Sequence, residues 1–255
     1  MSNRITLFGV QIDVLDRQQS VARLAAWLAE PERQCRYVVT PNVDHIVKLE
    51  SQPAFRAAYQ QAAMVVADGW PVVSAARWLG KPLPETVPGS DLVPNLFAYM
   101  AGAASAPLTV YLLGAGPGVA ERAAARIEQT YAQIRVVGCY SPPFGFEKDA
   151  AECDAICQRV AASGADLLVL GLGAPKQELW VHQHAARLPV KVALCVGATI
   201  DFLAGEKPRA PDWVRKARLE WCHRMLSEPR RLAKRYAHDA LVFPWLLIKE
   251  TVKGK

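Results

Sequence analysis

The chain has 255 residues, 51% of them hydrophobic, with 30 basic against 24 acidic side chains and a net charge of +6. That length and apolar content suit one compact α/β domain with a small appendage and leave little room for two full domains. The modest positive charge admits anionic partners such as nucleotides or phospholipid without selecting among them.

In chain order, the first ten residues carry one arginine and an apolar stretch broken by Gly9 and Asp13. This predicts neither a signal peptide nor a spanning helix and places the chain on the cytoplasmic side. Apolar runs of strand length follow at residues 37–40, 64–67, 109–113, 134–137, 166–170 and 192–196. Amphipathic segments at 18–29, 54–63, 118–132, 150–162 and 176–188 lie between them. Continuous apolar runs separated by helices predict parallel strands covered on both faces. The expected fold class is α/β, a Rossmann-like core with a mainly parallel sheet and ligands beyond the carboxyl ends of its strands. Six cysteines (Cys35, Cys139, Cys153, Cys157, Cys195 and Cys222) stand without zinc-type CxxC pairs and read as reduced core thiols.

Near Gly205 the α/β rhythm stops at Lys207-Pro-Arg-Ala-Pro211, and a helix-compatible stretch rich in arginine and tryptophan follows. Residues 1–205 are therefore expected to form the catalytic core and residues 206–255 a basic, amphipathic, helical C-terminal appendage. The run at 241–248 is too short to span a bilayer yet apolar enough to dock on one, on the core or on a neighbouring subunit.

Polar clusters mark several strand ends. Thr40-Pro-Asn42 precedes Asp44 and His45, the latter read as a helix-surface or helix-packing residue. Asp68 directly follows a buried run, where partial desolvation suits a carboxylate to take a proton from a hydroxyl; an aspartate there equally suits a helix cap. Gly114-Ala-Gly116 and Gly171-Leu-Gly173 are strand-to-helix turns at which backbone can approach a phosphate, with Lys176, Gln177 and Glu178 in the first helical turn after the second of them. A dinucleotide site calls for an acidic ribose ligand about 20 residues past the first turn, and the strand ending at Cys139 offers none. GxSxG, HExxH, P-loop and Asp-x-Asp patterns are absent, so no metal site is expected and a departing diphosphate would be met by backbone amides and arginines.

Taken together, several motifs resemble the WecG/TagA/CpsF glycosyltransferases (glycosyltransferase family 26) along nearly the whole chain. They are Thr40-Pro-Asn42, Ala67-Asp-Gly69, Gly89-Ser-Asp-Leu92, Leu112-Leu-Gly-Ala-Gly116, Tyr140-Ser-Pro-Pro-Phe144, Gly171-Leu-Gly-Ala-Pro-Lys-Gln-Glu178, the segment from Val196 to Gly205, and Glu228-Pro-Arg-Arg-Leu232 with Arg235-Tyr236. The resemblance implies a GT-E-like fold and an inverting, metal-independent transfer from a UDP-sugar to a polyprenyl-diphosphate-linked sugar in surface or exopolysaccharide synthesis. No cofactor and no nucleic acid are implied. It implies Asp68 as catalytic base, Thr40, Asn42, Gln177, Ser90 and Asp91 against the substrates, and Arg224, Arg231 and Arg235 near the diphosphate, alongside Gly114, Gly116, Gly171 and Gly173. The appendage is expected to hold the protein on the inner face of the cytoplasmic membrane, and its removal after Gly205 to leave a more soluble protein with little activity. Two departures from the family pattern, Thr86 where an arginine is common and Arg218 where a glycine is common, bear on sugar identity. Donor sugar, acceptor sugar and oligomeric state, a homo-oligomer included, stay open. So do two rival readings: an oxidoreductase or methyltransferase on the same fold, and a non-enzymatic module for anionic lipid.

Overall fold

The computed structural model of the protein describes residues 3–103, 106–211, 213–214 and 220–253. The chain opens with an antiparallel hairpin, β1 (Arg4–Leu7) and β2 (Val10–Asp13), that hydrophobic patterning alone did not reveal. Phe8 and Gly9 at its tip both have positive φ, 52° and 75°, the two-residue turn that matches right-handed strand twist.

The six apolar runs form β3 (Arg36–Val39), β4 (Met64–Val65), β5 (Leu108–Gly114), β6 (Ile134–Tyr140), β7 (Leu167–Gly171) and β8 (Val192–Cys195). They make one parallel sheet in the order β4-β3-β8-β7-β5-β6. Alternation along each strand feeds two cores. Val38, Leu112, Val169 and Leu194 meet α1 (Arg17–Ala29), α5 (Gly89–Ala103), α6 (Val119–Thr130) and α9 (Thr199–Ala204). On the opposite face Tyr37, Val39, Leu113, Leu170 and Cys195 meet α2 (Val43–Ser51), α3 (Pro53–Gln60), α4 (Trp70–Trp78), α7 (Ala150–Ser163) and α8 (Lys176–His184). The expected Rossmann-like, doubly covered sheet is thus present.

Local chemistry explains the element ends. Asp16 and Gln19 form a reciprocal capping box on α1, and Asn42 caps α2. Pro53, which lacks an N–H, opens α3 directly after α2, so the helix expected at 54–63 is preceded by another. The edge strand β4 is covered by the hairpin: buried Asp13 accepts from the Val65 amide at 2.9 Å and pairs with Arg4 at 3.1 Å and Arg23 at 2.9 Å.

Beyond Gly205, which ends α9 in the left-handed conformation, the described appendage comprises α10 (Glu220–Ser227) and α11 (Pro229–Lys253). Helix α11 lies on α2, and the apolar run at 241–248 divides by face. Val242, Phe243, Leu246 and Leu247 join the core, with Phe243 5.5 Å from Phe8 and Leu246 only 4% exposed. Leu241, Trp245, Ile248 and Val252 form an outward stripe at helical spacing. Among the described residues no helix is long and apolar enough to cross a membrane.

Candidate functional site

The loops after all six parallel strands emerge on one edge of the sheet, so the motifs picked out from sequence converge there. At the β3/β4 side of that edge lies a cleft of about 630 Å³. One wall comes from the core (Asn42, Asp44, Asp68, Trp70, Arg77 and Thr86) and the facing wall from the appendage (Trp221, Arg235, Tyr236, Asp239 and Phe243).

Asp68 reaches the mouth because the chain stays extended beyond β4: its amide donates to the Pro41 carbonyl at 2.8 Å, and Val87 N–H donates to the Ala67 carbonyl at 2.8 Å. The helix-cap position of α4 belongs to Gly69, with φ 101°, and no side chain caps that helix. Asp68 is therefore half-buried at the cleft, one residue ahead of the cap. Asn42 lines the same cleft while its side-chain Oδ1 accepts from the His45 amide at 3.2 Å. Thr40 is buried at the end of β3.

His45 packs inward as expected, its Nδ1 2.6 Å from the Tyr59 hydroxyl and its ring edge-on to Phe55. Burial pushes its pKa down to about 4, which keeps the ring neutral and out of proton transfer at neutral pH.

The two glycine turns lie at β5 and β7, three and two strands from β3 respectively, so roughly 10–14 Å along the sheet edge. Gly114 and Gly171 are required by packing: a Cβ on Gly114 would stand 2.6 Å from the Gly171 carbonyl, and one on Gly171 would stand 2.8 Å from Ile200 Cδ1. Gly173, at φ 80°, has nothing within 4 Å of a Cβ position, and Gly116 only an ordinary contact with Val119. Of the four, Gly116 and Gly173 leave room at the Cβ position, but the Gly173 N–H is already given to Gln177 Oε1.

Gln177 is 2% exposed and sits beneath these turns. Its Oε1 accepts from Gly173 N–H and Gly197 N–H, both at 3.2 Å, and its Nε2 donates to Glu178 Oε1 at 2.8 Å, so the amide ties the β7 and β8 turns together. Glu178 is fully buried, and burial pushes its carboxyl from 4.5 up to about 7. Folding thus binds this proton more tightly than the unfolded chain does. The stabilisation that results is complete below about pH 4.5 and is lost as pH rises through about 7. Glu178→Gln is expected to raise stability at pH 8 by up to about 3 kcal/mol, at 1.36 kcal/mol per pKa unit, and to change it little at pH 4.5. Urea unfolding at the two pH values checks this; equal shifts at both would contradict it.

Ser90 and Asp91 open α5 and are engaged by Arg209, which pairs with the Asp91 carboxylate and donates to Ser90 Oγ at 3.3 Å. They lie beside the cleft, whose nearest lining residue on that segment is Pro88. Arg235 lines the cleft, 3.8 Å from Asp44 and over the Tyr236 ring. The side chains of Arg224 and Arg231, and all of Arg218, lie outside the described residues. Thr86 does line the cleft, on the same wall as Arg77. Among the described residues no group of three or more His, Cys, Asp and Glu side chains gathers as a metal site.

Patterning alone missed Trp221, Tyr236 and Asp239 as cleft residues, and it placed Asp44 and Trp70 in the strand-end clusters without giving them a role. The usable signal was the spacing Arg235, Tyr236, Asp239, Phe243, one helical face of the appendage.

The sequence profile described as the glycosyl transferase WecG/TagA/CpsF family matches residues 5–255. Among curated proteins, the chain is 29% identical over 231 residues to an N-acetylglucosaminyldiphosphoundecaprenol N-acetyl-beta-D-mannosaminyltransferase of Staphylococcus aureus (strain MRSA252), covering 91% of this chain and 87% of the relative. It is 28% identical, with the same coverage, to the protein of the same name from strain MW2.

Proposed function

The chain belongs to the WecG/TagA/CpsF family of glycosyltransferases, and from that premise we propose that it moves a sugar from a UDP-sugar to an N-acetylglucosamine-type sugar carried on polyprenyl diphosphate, by a single inverting displacement without a metal. The observation that carries this reading is the placing of Asp68 at the mouth of a cleft walled jointly by the core and the appendage. Such a cleft is large enough for sugar units and offers Trp70, Trp221 and Tyr236 to their C–H faces.

In this reaction Asp68 takes the proton of the acceptor hydroxyl as its oxygen bonds to the donor anomeric carbon. The bond from that carbon to the UDP oxygen breaks, and UDP leaves as the anion. Open backbone at Gly116, together with Arg235, Arg224 and Arg231, meets the departing charge. Thr40, Gln177, Ser90 and Asp91 support the site from behind and beside it. The relatives' names support the acceptor class, since both specify a diphosphoundecaprenol-linked N-acetylglucosamine. The stripe of Leu241, Trp245, Ile248 and Val252, on a basic appendage, supports residence on an anionic membrane face where such an acceptor lies.

The test is UDP release from a panel of UDP-sugars, with and without short-chain polyprenyl-diphosphate N-acetylglucosamine, in the presence of EDTA. Acceptor-dependent release with one donor is expected. Release that stops with EDTA would remove the metal-independent mechanism, and no release with any pair would remove the reading.

A further inference from the structure

Arg235 is the cation that the described part of the appendage brings into the cleft. An arginine side chain has many rotamers, so its guanidinium meets a phosphate at a fixed place only if something holds it there. Two contacts do so. On its own helix, α11, the guanidinium lies over the Tyr236 ring, 5.1 Å from the centroid. From the core, Asp44 Oδ2 stands 3.8 Å from Arg235 Nη1. Asp44 is itself fixed. It sits in the first turn of α2, just past the Asn42 cap, where the positive end of the helix favours a carboxylate, and Lys48 one turn on pairs with the same oxygen. The Asp44 side chain is only 10% exposed.

The separation decides what the Asp44–Arg235 contact does. At 3.8 Å the two attract through charge but make no hydrogen bond. Arg235 Nε, moreover, is buried and has no hydrogen-bond partner among the described residues. A buried, unpartnered N–H is costly and calls for an acceptor. A diphosphate oxygen is the acceptor that the planar guanidinium fork fits. Docking of α11 does not need the pair, because Phe243 and Leu246 already bury apolar surface there and a partly exposed ion pair adds little stability. Resting on the transferase reading, we propose that Asp44 is a positioning residue for the reaction: it holds the Arg235 guanidinium toward a substrate diphosphate without spending its N–H donors. Donor and acceptor both carry a diphosphate in that reading. Asp44 acts through Arg235 rather than on the sugar.

The experiment uses the full-length chain, with steady-state kinetics on the UDP-sugar and short-chain acceptor that it uses and with UDP titration by calorimetry. Arg235→Gln is expected to lower kcat/KM by about 10²-fold, and Asp44→Asn by about tenfold with melting close to that of the wild type. Asp44→Glu, which keeps the charge, is expected to recover most of the loss. The decisive measurement is the double-mutant cycle: in the Arg235→Gln background Asp44→Asn is expected to cost less than about twofold, because the cation it serves is gone. UDP affinity that falls by about threefold or more in Asp44→Asn assigns the diphosphate to the donor, and unchanged UDP affinity with a raised acceptor KM assigns it to the acceptor. Should Asp44→Asn melt early, Asp44→Ser takes its place in the cycle. Wild-type kinetics in Asp44→Asn, or an equal loss in both backgrounds, would overturn the inference while leaving the transferase reading intact. Absence of transfer by the wild type from every donor and acceptor pair would overturn the transferase reading itself.

Discussion

Asp68→Asn is expected to lower kcat by roughly 10²–10⁴-fold, the range for loss of a positioned general base. Asparagine is close to isosteric with aspartate, and the segment is held through backbone contacts, Asp68 N–H to Pro41 and Val87 N–H to the Ala67 carbonyl, so the cleft should keep its shape. In the proposed reaction that charge acts when the acceptor hydroxyl gives up its proton. UDP binding should therefore stay within about threefold, and the defect should appear in kcat and kcat/KM together. Single-turnover kinetics alongside UDP titration by calorimetry separate the two. Turnover within about tenfold of wild type would take the base role away from Asp68. Loss of UDP affinity in step with rate would make it a binding residue.

Removal of residues 206–255 is expected to abolish turnover, by more than about 10³-fold, because one wall of the cleft leaves with it: Arg235, Tyr236, Asp239 and Phe243 all come from α11. The structure revises the accompanying expectation of better solubility. Val242, Phe243, Leu246 and Leu247 pack on the core, and deleting them uncovers Phe8 and the apolar face of α2. A fully buried side chain such as Leu246 stabilises by about 1.5–3 kcal/mol and the partly buried ones add less, so the truncated chain is expected to melt earlier and to associate. A variant confined to the outward stripe, Trp245→Glu with Ile248→Glu, separates membrane docking from site completion. It should retain turnover on a short soluble acceptor and lose co-sedimentation with anionic vesicles. Full activity in the truncated protein would mean that the core alone holds the site. Unchanged vesicle binding in the double variant would rule out the stripe as a membrane contact.

The sheet was legible because its signal is local. Runs such as residues 167–170 and 192–196 are apolar at every position, as only strands buried on both faces are, and they appear as β7 and β8. Helices α2, α4 and α5 were not singled out. Each is short or interrupted by proline (Pro71 at the start of α4, Pro94 within α5), and α5 is apolar over most of its length, so a 3.6-residue period is weak. The hairpin was hidden for a similar reason, since two four-residue strands and a turn carry little periodicity. The boundary near Gly205 was visible as a change of composition, and Gly205 does end α9.

By itself the sequence determined which residues end the strands: Thr40, Asn42, Asp68 and the glycines of the two turns all fall at the carboxyl edge, because chain order and strand length dictate where each run stops. It could not distribute roles among them. Gln177, Ser90 and Asp91 have the same polar character as Asn42, yet Gln177 is turned inward to tie two turns and Ser90 and Asp91 are held by Arg209. Nor could it join Asp44 to Asp239 across most of the chain. Only the docking of α11 on α2 does that, driven by the burial of Phe243 and Leu246. Patterning reports what one element presents to its surroundings; which surface it meets, and therefore which carboxylates share a cleft, is decided by packing between elements remote in sequence.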